Sequence, residues 1–195
     1  MLKFINLVLF TITIVVGITF FTAKPPTSVK AVRESSFELS TKYFPKSVEV
    51  VGSNKFVKIE ELFKKDTQTL LIVGNHDSMS VIKDLKKYFE IKIPYVMIAN
   101  ISNAPWFIKK WAIADKLKEL VVNIEDPMIY DDEGFMVGSL GLNNTEPTKY
   151  FVYLVNKDGS IKNIYIGSVK EGALENGITE DEIKSSLKPI LEFLK

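Results

Sequence analysis

Two short apolar runs separated by a segment of helical periodicity constrain this fold most. Thr69-Leu70-Leu71-Ile72-Val73 and Tyr95-Val96-Met97-Ile98-Ala99-Asn100-Ile101 carry no charged residue. Runs of this length without alternation fit strands covered on both faces, the habit of parallel sheets. Between them, residues 80–90 place Val81, Ile82, Leu85, Tyr88 and Phe89 at helical spacing, with Ser78 or Ser80 as the expected cap. Strand, helix, strand in one sheet demands a right-handed crossover and a parallel pair. A second such unit follows. Asn103 and Pro105 open a helix carrying Trp106, Phe107, Trp111, Ile113, Ala114, Leu117 and Leu120, and residues 127–142 read as a short strand, an acidic turn and a short irregular helix.

Antiparallel pieces flank this centre. Residues 47–62 alternate and break at Gly52-Ser53-Asn54, as a hairpin does. Residues 149–155 and 160–167 read as strands joined by Asn156-Lys157-Asp158-Gly159, a strong hairpin turn. The last helix opens on Thr179-Glu180-Asp181-Glu182, a capping box, with Ile178 and Ile183 spaced as a hydrophobic staple; Pro189 is expected to kink it. The sum is an α/β domain with a mixed sheet and helices on both faces.

Composition narrows the chemistry. The 195 residues include no cysteine and a single histidine, His76. Disulfides, thiolate catalysis and thiolate metal sites are thereby excluded. Charge is balanced, with 25 Lys+Arg against 24 Asp+Glu, and Arg33 is the only arginine. No basic excess points to nucleic acid. The N-terminus carries residues 4–23, which contain no charge. Twenty residues at 1.5 Å each span about 30 Å, the thickness of a bilayer core. Residues 1–23 are therefore expected to be a membrane anchor or a signal peptide, residues 24–42, with Pro25-Pro26, a linker, and residues 43–195 the folded domain. This places the domain in the periplasm, anchored to the inner membrane or released from it.

The stretch Gly74-Asn75-His76-Asp77-Ser78-Met79-Ser80 lies between the first buried strand and its helix, where many α/β proteins keep their chemistry. The order of elements, the Asp-x-x-Gly segment at 131–134, and the Pro147-Thr148 pair ahead of a strand, a Lys-Asp-Gly turn and a second strand resemble the thioredoxin-like superfamily. The likeness is to its redoxin branch of TlpA type, with kinship to a cysteine-poor periplasmic group of YtfJ type. The resemblance implies a thioredoxin-like mixed sheet, a Cys-x-x-Cys position near Asp77–Ser80, and a cis-proline at Pro147. It also removes the family's activity, because dithiol exchange needs a thiolate that serine cannot replace.

The resemblance thus carries over a shape, and the reading assigns no catalytic residue, no metal and no cofactor. It expects a binding groove formed by His76, Asp77, Ser78, Ser80, Glu146, Pro147 and Thr148, in which the backbone before Pro147 receives an extended protein or peptide partner by β-augmentation. Two alternatives stand beside it. One is a hydrolase or metal-dependent enzyme using His76 with a carboxylate, for example a triad with Ser78 or Ser80 and Asp131. The acidic turn Asp131-Asp132-Glu133 offers carboxylates for a hard cation but lacks the ligand spacing of a calcium loop. The other is an interaction module built on the Trp106–Trp111 helix.

Overall fold

The computed structural model describes residues 38–53, 55–102, 113–143 and 146–194. The apolar run 4–23, Arg33 and the aromatics Trp106, Phe107 and Trp111 lie outside the described residues. Among the described residues no helix is long and apolar enough to cross a membrane.

The strands are β1 (Ser47–Val50), β2 (Lys55–Lys58), β3 (Thr69–Gly74), β4 (Tyr95–Asn100), β5 (Met128–Asp131), β6 (Lys149–Val155) and β7 (Ile161–Ser168). The helices are α1 (Ile59–Leu62), α2 (His76–Ile82), α3 (Leu85–Tyr88), α4 (Ala114–Leu120), α5 (Phe135–Ser139), α6 (Ala173–Asn176) and α7 (Glu180–Leu187). The strands form one seven-stranded sheet in the order β2-β1-β5-β4-β3-β6-β7. β3, β4 and β5 run parallel, with Leu71 opposite Val96 and Ile98 opposite Ile129. β6 lies antiparallel to β3, and β1–β2 and β6–β7 are hairpins. The mixed sheet expected from the sequence is present, and its topology is consistent with a thioredoxin-like fold.

All six residues of both β3 and β4 are buried, which is why neither run alternates. Successive side chains still point to opposite faces. Leu70, Ile72, Met97 and Ala99 pack with Met79, Ile82, Leu85, Leu117, Ile183 and Leu187, so α2, α3, α4 and α7 cover one face. Leu71, Val73, Val96 and Ile98 pack with Phe44, Ile59, Phe63, Met136 and Val137, so α1 and α5 cover the other. Each fully buried large side chain contributes about 1.5–3 kcal/mol. Among the described residues, one side-chain polar atom, the Thr69 hydroxyl, is buried without a hydrogen-bond partner.

Several polar signals behave as the sequence reading expects. Thr179 Oγ1 accepts from the Glu182 amide and Glu182 Oε2 accepts from the Thr179 amide, closing the capping box of α7. Ile183 is buried at the staple position. Pro189 does more than kink the helix: α7 stops at Leu187 and the chain tightens into a 3-10 helix over Lys188–Phe193, which tolerates the missing donor near its start. The fold also takes in residues upstream of Tyr43, since Leu39 O accepts from the Ile161 amide and Ser40 bridges Ser160.

Candidate functional site

The helix after β3 starts earlier than expected. Only Asn75 separates β3 from α2, so His76–Ser80 form its first turn rather than a loop ahead of it. Ser78 and Ser80 do not cap the helix. Their hydroxyls turn back, Ser78 Oγ donating to Asn75 O at 3.0 Å and Ser80 Oγ to Asp77 O at 2.7 Å. Such bonds to carbonyls three residues earlier let serine sit inside a helical turn. The immediate turn also demands glycine at position 74, where a Cβ would stand 2.2 Å from Ser78 Oγ and 2.9 Å from Met79 Cε.

The structure does bring the two expected segments together. Asn75 Nδ2 donates to Glu146 O at 2.7 Å and the Ser78 amide donates to Pro147 O at 3.3 Å. The Glu146–Pro147 bond, however, is trans, and no peptide bond among the described residues is cis. The trans isomer is the intrinsically preferred one, and the contacts to α2 are made with it. The three carbonyls of this segment are taken: Glu146 O by Asn75 Nδ2 and the Lys149 amide, Pro147 O by Ser78, and Thr148 O by the Val169 amide at 2.9 Å. A carbonyl has two lone pairs, so Glu146 O has none left for an added strand. The expected β-augmentation at that carbonyl is thus closed by the protein's own donors.

Three polar residues sit at or just past the carboxyl ends of the parallel strands, and each holds local structure. Asp77, 3% exposed, accepts from the Gly172 amide at 2.9 Å and from the Leu174 amide at 3.1 Å. Asn100 Oδ1 accepts from the amide and the hydroxyl of Ser102. Asp131, at the end of β5, accepts from the Met136 amide at 3.2 Å and the Val137 amide at 2.8 Å, capping α5. Burial pushes the Asp131 pKa above the usual carboxylate value, while the amide bonds to Val137, Met136 and Phe135 oppose the rise.

His76 is half-buried and makes no hydrogen bond or ion pair among the described residues. The triad of the enzyme alternative is therefore not assembled. Ser78 and Ser80 donate to backbone, and both Asp131 oxygens serve α5. No group of three or more His, Asp or Glu among the described residues is placed to hold a metal ion. Of the expected groove, Asp77 and Ser78 are buried, while His76, Ser80, Pro147 and Thr148 are half-buried and Glu146 is exposed. The sequence reading missed Asn75, which ties the two segments, and Gly172 and Leu174, which hold Asp77. Asn75 lay in view within the quoted stretch; Gly172 gave no signal.

The mixed sheet with helices on both faces is consistent with a thioredoxin-like fold, and the chain carries no cysteine. No protein-family model matches the chain, and no curated protein does. Solved structures similar to it include an uncharacterised conserved protein from Geobacillus kaustophilus, 18% identical over 80% of this chain and 84% of that one, with a TM-score of 0.47. Xanthomonas campestris peroxiredoxin Q is 10% identical over 81% of this chain and 95% of its own, with a TM-score of 0.47. A secreted Mycobacterium tuberculosis disulfide oxidoreductase is 11% identical over 73% of this chain and 94% of its own, with a TM-score of 0.39.

Proposed function

We propose that this chain is a non-redox, thioredoxin-fold binding or accessory protein on the extracytoplasmic side of a bacterial inner membrane. It engages a protein or peptide through the surface of His76, Ser80, Glu146, Pro147 and Thr148, which Asp77 and Ser78 shape from beneath. The observation that carries this reading is the commitment of the site's polar atoms. Asn75, Asp77, Ser78, Ser80 and Asp131 all spend their side chains on structural hydrogen bonds. What remains outward is a surface of side chains without an activated nucleophile, since activation needs a base within about 3 Å. With the Glu146 carbonyl saturated by Asn75 Nδ2 and the Lys149 amide, recognition rests mainly on side-chain complementarity. The apolar run 4–23 supports the membrane location.

A photocrosslinking residue at Thr148 in the full chain, irradiated in native membranes, tests this. The expected result is a discrete adduct that Pro147→Ala abolishes and Trp106→Ala leaves intact. The reverse pattern would assign binding to the Trp106–Trp111 segment. A substrate turned over by the purified chain and spared only in His76→Ala would assign an enzyme.

A further inference from the structure

The Asp77 carboxylate sits at the first turn of α2, at the centre of the proposed binding surface, and is almost wholly out of water. Its partners are two backbone amides, Gly172 at 2.9 Å and Leu174 at 3.1 Å, and it forms no ion pair among the described residues. Both amides belong to the segment between β7 and α7, whose short helix α6 packs against α2. Between Lys170 and Ile178 the only buried side chain is Ala173, at 4% exposed. Glycines stand at both ends of α6, Gly172 with φ 71° and Gly177 with φ 72°.

We infer that residues 170–178 are a strap closed over the first turn of α2, hinged at Gly172 and Gly177 and latched by the Asp77 carboxylate. The strap controls access to the buried Asp77–Ser78 part of the surface, and this role rests on the binding reading given above. Closing removes a carboxylate from water with no counter-charge, and two charge-assisted hydrogen bonds offset that cost. Opening returns the carboxylate and both amides to water. Beside the latch, the closed state has one buried side chain, Ala173, the half-buried Ile178 at its far end, and the exposed pairs Lys116–Glu175 and Lys170–Glu182, so the segment opens at lower cost than the sheet, as movable segments require. Glycine at each end absorbs the backbone rotation, which residues with a Cβ resist at these angles.

Hydrogen exchange of the full chain, read by mass spectrometry without any partner, tests the strap separately from binding. Amides of 171–177 in the wild type should exchange far faster than those of β3 and β4. Asp77→Asn should speed the strap amides further by about tenfold, the factor for losing one hydrogen bond to a charged acceptor, with β3 unchanged. Should Asp77→Asn not fold, a Glu-specific protease on the wild type gives the second reading: cleavage after Glu171 and Glu175 at a rate independent of low urea. Strap amides as protected as β3, a loss of protection spread over the whole domain in Asp77→Asn, or cleavage that follows global unfolding would each overturn the strap. The Thr148 crosslink would stand or fall on its own.

Discussion

Gly74→Ala tests the tight turn that denies this site a loop. The added Cβ would lie 2.2 Å from Ser78 Oγ, 2.9 Å from Met79 Cε and 3.2 Å from Ser78 Cβ. Met79 has a flexible thioether end that can move, so the serine is the obstacle. Overpacking of this kind costs about 1–3 kcal/mol, and replacing glycine returns about 0.4–1 kcal/mol through the unfolded chain. A net loss of about 1–2 kcal/mol follows, which at a urea slope of about 2 kcal/mol/M lowers the midpoint by about 0.5–1 M. Ser78→Ala alone costs about 1 kcal/mol through its lost bond to Asn75 O. In Gly74→Ala/Ser78→Ala the closest contact is gone, so the double variant should be more stable than the sum of the two losses by about 1 kcal/mol. Urea melts followed by tryptophan fluorescence and far-UV circular dichroism read all four proteins. An unchanged midpoint in Gly74→Ala, or strict additivity in the double variant, would refute the packing of α2 directly on β3.

Three further outcomes follow from the packing. Thr69→Val replaces the unpartnered buried hydroxyl with a methyl of similar shape and should raise stability by about 1 kcal/mol, read as a higher melting midpoint. Gly167→Ala would set a Cβ 2.2 Å from the Tyr150 ring, whose hydroxyl donates to Ser186 O at 2.5 Å, so it should cost about 1–3 kcal/mol and loosen α7 in hydrogen exchange. The Glu182 pKa is held down to about 2 by the Thr179 amide, by Lys170 and by the Thr179 hydroxyl. A depressed carboxylate stabilises the fold above its ordinary value of 4.5 and loses that contribution as pH falls toward about 2, so Glu182→Gln should flatten the acid limb of the stability profile in that window.

The sheet was legible in the sequence because β3 and β4 bury both faces and therefore drop alternation, and because runs this short, alternating with a helical segment, are too short for buried helices. The α7 start was legible because a capping box is local, with every partner within three residues. The start of α2 was not. Serine reads as a cap from sequence, yet Ser78 and Ser80 bond backward inside the turn, and nothing in their spacing distinguishes the two uses. The role of Asp77 was hidden for a different reason: its partner Gly172 is 95 positions away. A carboxylate beside a lone histidine suggests chemistry until the two amides that hold it are seen. The same holds for Asp131, which the acidic turn made a cation candidate and the fold makes a helix cap.

Under the binding reading, this domain acts through its surface and not through chemistry at His76. The most direct measurement compares His76→Gln, which keeps a polar side chain on that surface but removes the imidazole, with Thr148→Arg in a strain deleted for the gene, with urea melts confirming that both variants fold. Restoration by His76→Gln and failure by Thr148→Arg is the predicted result. Failure by a fully folded His76→Gln, with Thr148→Arg restoring function, would contradict it.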